Sequence, residues 1–187
     1  MVIIKRASRE QASSIAQLIM VAMTDECCLY FCGKGYGLED FRKMMVRLVE
    51  REDSQYSYKN TLVAMVDNNV VGIAVSYDGA QLNELRRAFI AAAKEQIGKD
   101  HSNMDDETQA GELYLDSLAV HPDYRRQGIA QKLLLATKEK ANNMGLPYVG
   151  LLVDTNNPVG EALYTSVGFR HIGDNQWGGH PMKHLVL

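Results

Sequence analysis

The sequence predicts an α/β (α+β) fold: a mixed central sheet of about six to seven strands flanked by helices. Two β-rich runs, 61–66 and 70–77, flank Asp67-Asn68-Asn69, residues that tolerate the left-handed backbone of a tight hairpin, so these runs pair antiparallel. An alternating strand over 112–120, an amphipathic helix over 128–144 and an apolar strand over 147–153 make a beta-alpha-beta unit, which requires a parallel pair and a right-handed crossover. Both kinds of pairing in a chain of 187 residues imply one mixed sheet in one domain, 1–187, long enough to bury a core.

Residues 2–5 form a short first strand, and Ser8 followed by Gln11 has capping-box spacing for a helix to about Met23. Its buried face carries Ala12, Ile15, Ile19 and Ala22. The pattern breaks over 24–36 and resumes as a helix over 38–50 with Phe41, Met44, Met45, Leu48 and Val49 on one side. Tyr30, Phe31 and Tyr36 before it serve either packing or an acceptor pocket. After the hairpin, 82–97 is an inserted helix with Leu85, Phe89, Ala93 and Ile97 on one stripe. Residues 99–111 are polar and aperiodic, which predicts a mobile loop and puts the whole insert at about 80–110. His121-Pro122 ends the strand over 112–120, and Gly145 stops the helix over 128–144. Asn157 caps a short helix with Pro158 at its first position, and strands over 169–173 and 182–186 close the chain around a loop holding Trp177 and His180.

A formal net charge of −3, with basic residues spread along the chain, gives no general attraction to nucleic acid or to an anionic membrane. No apolar run approaches the length of a membrane span. Cys27, Cys28 and Cys32 lack the second ligand pair that a zinc site needs, so no metal is expected. They read as reduced thiols of a cytoplasmic protein.

The stretch Arg125-Arg126-Gln127-Gly128-Ile129-Ala130 lies where the strand over 112–120 passes into the long helix. A glycine there lets backbone approach a ligand, and free N–H groups of a helix's first turn attract phosphate. The same hexapeptide also fits an ordinary loop with solvated arginines.

Its neighbours decide between the two. LYLDSLAVHPDYRRQGIAQKLL followed by NNPVGEALYTSVGF resembles the GNAT superfamily, the acyl-CoA-dependent N-acetyltransferases. Arg125, Gly128 and Ala130 fit that family's R/Q-x-x-G-x-G/A element; Asn157 and Leu163-Tyr164 before Gly168-Phe169 fit its second element. The motif-bearing core, 112–169, covers roughly a third of the chain. Ala130 in place of the usual glycine and Gly160 in place of the usual alanine are departures compatible with CoA binding. The helical insert is less usual and bars carrying acceptor recognition over from compact relatives.

The resemblance implies a sheet splayed between its fourth and fifth strands and acetyl-CoA as co-substrate. It implies that N–H groups from Gln127 through Gly128 and Ile129 to Ala130 cradle the diphosphate beside Arg125 and Arg126. Leu118, Ala119 and Val120 would offer strand backbone to the pantetheine arm, and Asn157 would touch the same arm while capping its helix. Tyr164 resembles the general acid for the CoA thiolate, although a helix tyrosine covering the sheet has the same residue type. Amines near pKa 10.4 need deprotonation before attack. Glu112, Tyr114 and Asp116 share a strand face, and Asp116 is the candidate base or, equally, a structural acid.

The expected activity is acetyl transfer from acetyl-CoA to a primary amine of a small molecule, by direct attack in a ternary complex. The alternatives are acetylation of a protein or peptide N-terminus or lysine, and a noncatalytic CoA-binding regulatory module. Oligomeric state stays open, a homodimer included.

Overall fold

The computed structural model describes residues 1–187. Seven strands form one sheet in the order β1-β2-β3-β4-β5-β7-β6: β1 (Ile3–Arg6), β2 (Thr61–Val66), β3 (Asn69–Asp78), β4 (Glu112–Val120), β5 (Tyr148–Asp154), β6 (Arg170–Trp177) and β7 (His180–Val186). All pairs are antiparallel except β4 with β5. The predicted mixed sheet is therefore present. Asp67 and Asn68 turn the β2–β3 hairpin with φ of 47° and 65°, left-handed values that Asn and Asp tolerate.

Helices α1 (Ala12–Met23), α2 (Asp25–Phe31), α3 (Leu38–Glu50) and α4 (Leu82–Gln96) cover one face. There Ile15, Ile19, Phe31, Phe41, Met44, Met45 and Phe89 bury against Val63, Ile73, Val75 and Ala119 of the sheet. Helix α5 (Ile129–Asn143), with α6 (Pro158–Val167) beside it, covers the other face through Ile129, Leu133 and Leu134 against Ala74, Leu113, Leu115 and Leu151. Each amphipathic helix thus buries its apolar stripe on one side of a two-faced sheet.

Three expectations need correction. Residues 25–31, predicted as a break, form α2; Thr24 at φ 73° turns the chain sharply and its Oγ1 accepts from the Cys27 N–H. The last two strands are longer than predicted. They meet at a Gly178-Gly179 turn, so Trp177 ends β6 and its indole packs onto the α1–α4 core. The stretch predicted as a mobile loop is tied down by Arg86, whose guanidinium donates to the Asp105 carbonyl at 2.8 Å, to Asp106 at 3.1 Å and to buried Glu107. A buried arginine demands such partners, and satisfying it gives an aperiodic segment a defined path.

Candidate active site

Strands β4 and β5 run together over three residue pairs, Glu112–Tyr148, Leu113–Val149 and Tyr114–Gly150, and then separate. From Leu115 onward, β4 has no partner on its β5 side, which leaves strand backbone facing a V-shaped opening. On its other edge Val75 pairs Ser117 while Ser76 pairs Leu115, so Asp116 is the extra residue of a β-bulge. Beyond the bulge, Ala119 is buried in the α1–α4 core, and half-buried Leu118 and Val120 pack toward α5.

At the open end of β4 the chain passes through a 3-10 turn, Pro122–Tyr124, into the hexapeptide. Arg126 at φ 61° and Gly128 at φ 73° are both left-handed, and Gly128 is the N-cap of α5. Left-handed residues in such a turn aim successive N–H groups into a common concavity. The backbone N–H groups of Arg126, Gln127, Gly128, Ile129, Ala130 and Gln131 find no acceptor in the chain. Arg125, Arg126 and Gln127 are exposed, and Arg125 Nε donates to the Val120 carbonyl at 3.1 Å, folding the loop back on the strand end. The residues present therefore fit a diphosphate.

Helix α6 packs beside α5 on the same face of the sheet. Asn157 Oδ1 accepts from the Gly160 N–H at 2.9 Å, so the helix-cap role is realised. A Cβ at Gly160 would come within 2.7 Å of Asn157 Nδ2, so a larger residue there would require the capping amide to shift. Tyr164 is half-buried, edge-on to Phe169 at 5.6 Å between ring centroids, and its hydroxyl has no partner in the chain. Burial pushes its phenol up to about 12, so it stays protonated at neutral pH.

On the α1–α4 face, Asp116 Oδ2 accepts from Gln55 Nε2 at 3.2 Å and lies 3.4 Å from the Tyr77 hydroxyl, while Oδ1 accepts from Ser117 Oγ at 2.8 Å. Burial raises its carboxyl above the usual aspartate range, and these hydrogen bonds pull it back only in part. Glu107 sits on the far side of Tyr77 at 3.3 Å and also accepts from Trp177 Nε1 at 3.2 Å. Its burial, with the charge of Asp116, raises it to about 7 against the opposing Arg86. Cys27 faces the same carboxylate; burial pushes its thiol up to about 11, which makes it a poor nucleophile at neutral pH.

Glu112 shares the strand face predicted for it but does not join this centre. Its carboxylate crosses Gly150 to His184 Nε2 at 2.7 Å, and a Cβ on Gly150 would fall 1.9 Å from Glu112 Oε2. This link ties β4 to β7 across β5 where the two parallel strands still pair. Sequence reasoning missed Gln55, Tyr77, Arg86 and Glu107; Trp177 stood in a stretch expected either to line the site or to turn the chain, and it bonds Glu107. One signal was present: Arg86 stands three and seven residues before Phe89 and Ala93, on the buried stripe of the inserted helix, where arginine requires a carboxylate.

The sequence model of the acetyltransferase (GNAT) family matches residues 34–169, nearly three quarters of the chain. The chain belongs to the GNAT family. A solved acetyltransferase overlays 98% of this chain and 97% of its own, with 27% identity and a TM-score of 0.83. Mycothiol acetyltransferase of Nocardiopsis dassonvillei is 34% identical over 90 residues, 43% of this chain and 27% of that protein. The [ribosomal protein bS18]-alanine N-acetyltransferase of Haemophilus ducreyi is 38% identical over 66 residues, 35% of this chain and 46% of that protein. The matched stretch thus spans less than half of these curated relatives, and their names point to acceptors of different kinds.

Proposed function

We propose that this GNAT protein transfers an acetyl group from acetyl-CoA to a primary amine of a small molecule by direct attack in a ternary complex. The observation that carries the donor half is the run of unaccepted N–H groups from Arg126 to Gln131 at the mouth of the β4–β5 opening. Gln127, Gly128, Ile129 and Ala130 would hold the diphosphate, with Arg125 and Arg126 adding positive charge, while the Leu118–Val120 backbone and Asn157 would hold the pantetheine arm. The co-substrate supplies an acetyl thioester.

The chain's own groups do the rest. Backbone along β4 orients the carbonyl for attack and polarises it. Asp116 takes the proton of the incoming ammonium, and its elevated pKa suits that exchange better than an ordinary aspartate would. Tyr164 retains its proton at Oη until the thiolate departs and then donates it. A small amine is favoured because the acidic centre lies deep among Gln55, Tyr77 and Trp177. The relative that carries a ribosomal-protein alanine in its name supports a second reading, acetylation of a protein N-terminus.

Incubation with acetyl-CoA and a panel of amines and peptides, following free thiol, tests both. Turnover with small amines supports the first reading, turnover with peptides alone the second, and tight CoA binding without turnover on either would leave a CoA-binding module. Tyr164→Phe should lower turnover by about tenfold or more with CoA affinity unchanged; unaltered turnover removes Tyr164 from the reaction.

A further inference from the structure

The acidic centre contains more carboxylate than the transfer of one proton needs. Tyr77 offers a single phenolic hydrogen, yet its oxygen is 3.3 Å from Glu107 Oε1 and 3.4 Å from Asp116 Oδ2. One hydroxyl donates to one carboxylate at a time. Asp116 and Glu107 have other donors in Gln55, Ser117, Arg86 and Trp177. Both contacts to Tyr77, however, can be hydrogen bonds at once only when one carboxyl is protonated and donates to the tyrosine, so the geometry has a place for one additional proton. A second observation belongs to the same centre. Gln55 is 2% exposed; its Nε2 donates to Asp116, an arrangement that fixes the amide orientation, and its Oε1 has no partner. That oxygen is an unmet acceptor on the amide that bonds Asp116, and a buried unmet acceptor is unfavourable until an N–H or O–H donor reaches it.

We propose that the acceptor ammonium gives its proton to Asp116 and that Tyr77 passes the charge to Glu107, making the inserted segment the proton-storing end of the catalytic site. This rests on the acetyl-transfer reading above. The balance is simple: an N–H bond of the ammonium breaks and an O–H bond forms on Asp116. Asp116 then protonates the Tyr77 oxygen as Tyr77 releases its own hydrogen to Glu107. Nitrogen keeps its electron pair for attack on the carbonyl, and nothing is oxidised or reduced. Arg86 holds Glu107 from α4, and Trp177 fixes it from β6. The other ionisable groups around the pair are Tyr114 on β4, Tyr56 before β2 and Cys27 on α2, all shifted upward and so protonated near pH 7; Asp106 lies across Arg86. Glu107, elevated by burial and by Asp116, is the group that titrates near neutrality.

Carbon-13 NMR of the carboxyl groups reads the coupling without any acceptor. Asp116→Asn should lower the Glu107 midpoint, and an unmoved midpoint overturns the proposal. Kinetics reads the relay. Glu107→Gln, which keeps an oxygen for Arg86, should lower kcat on the order of 10²-fold and move the acid limb of the kcat/KM profile downward, with acetyl-CoA affinity unchanged. Tyr77→Phe leaves both carboxylates in place and should lower kcat at constant KM, turning a curved proton inventory in mixed H2O and D2O into a straight one. Wild-type kinetics in both variants would overturn the relay. Absence of turnover in the wild-type protein with every amine would instead overturn the acetyl-transfer reading, and the NMR coupling would then stand or fall by itself.

Discussion

The two sides of the β4–β5 opening are built in opposite ways. The donor side is local: one hexapeptide at a strand-to-helix junction supplies the free N–H groups, and one short helix, α6, supplies Asn157 and Tyr164. The acceptor side is assembled from five separated places: Gln55 before β2, Tyr77 on β3, Glu107 in the insert, Asp116 on β4 and Trp177 on β6. Backbone groups recognise a diphosphate whatever the neighbouring side chains are, whereas buried side-chain carboxylates depend on every partner that solvates them. Damage to the two sides should therefore look different.

The largest effect falls on the acceptor side. Arg86 is 3% exposed and pairs with Glu107 and Asp106 while bonding the Asp105 and Met104 carbonyls. Arg86→Met strands a buried carboxylate and should destabilise the fold by about 3–5 kcal/mol, read by denaturant titration. Acetyl-CoA affinity of the folded fraction should not change. A parallel loss of CoA affinity would show that the two sides are not independent.

Next comes the base. Asp116→Asn should lower kcat on the order of 10²-fold, within the range of general base catalysis, with CoA binding intact. The stability effect has the opposite sign. A carboxyl whose folded pKa is raised contributes stability fully present below its unfolded pKa and lost as pH rises through the folded value. Asp116→Asn should therefore lose less stability than the wild type as pH rises above the ordinary aspartate value, measured by thermal melting in a pH series. An identical pH slope in both proteins would place the titration elsewhere.

This asymmetry also explains what could be read in the sequence. The hairpin, the beta-alpha-beta unit and the phosphate-binding turn each rest on contiguous residues, so spacing and turn chemistry disclose them. Asp116 was legible because it alternates with Tyr114 on one strand, but the bulge that displaces it from the β3 pairing has no local signature. Glu107 was not legible: it stands in an aperiodic acidic stretch, and only tertiary contact with Arg86, Tyr77 and Trp177 separates it from Asp105 and Asp106. Helix α2 was missed because seven residues hold too few turns to display a period, and its start depends on a left-handed threonine.

The donor side is broken through its backbone. Nothing lies within 4 Å of a Cβ built on Gly128, so the residue is required by its φ of 73° and not by space. Gly128→Ala must carry a left-handed backbone, costing about 1–2 kcal/mol, and relief of that strain would rotate the N–H groups out of their concavity. Isothermal titration should show CoA affinity weakened by about tenfold, while a saturating donor concentration restores turnover. Lowered turnover at saturation would mean that the turn also positions the acetyl group.

The smallest effect connects the two sides. Lys140 of α5, on the donor face, sends its ammonium to the Ser76 carbonyl at 2.6 Å, Ser76 Oγ at 3.0 Å and the Asn60 carbonyl at 3.0 Å, with no carboxylate nearby. Ser76 lies on β3 at the step where the bulge displaces Asp116, so this lysine anchors the strand opposite the acidic centre. Burial, with Arg6 nearby, pushes its pKa down to about 8. The unfolded chain then binds more protons than the folded one between about pH 8 and the ordinary lysine value near 10.4, and stability contributed by Lys140 rises with pH across that window. Relative to Lys140→Met, the wild type should therefore gain about 1 kcal/mol between pH 8 and pH 10 after solvent screening, read by paired denaturant titrations. If kcat of Lys140→Met also falls while CoA affinity holds, the donor-face helix sets the position of Asp116 through the bulge; if kcat is unchanged, the acceptor-side partners of Asp116 hold it without help from α5.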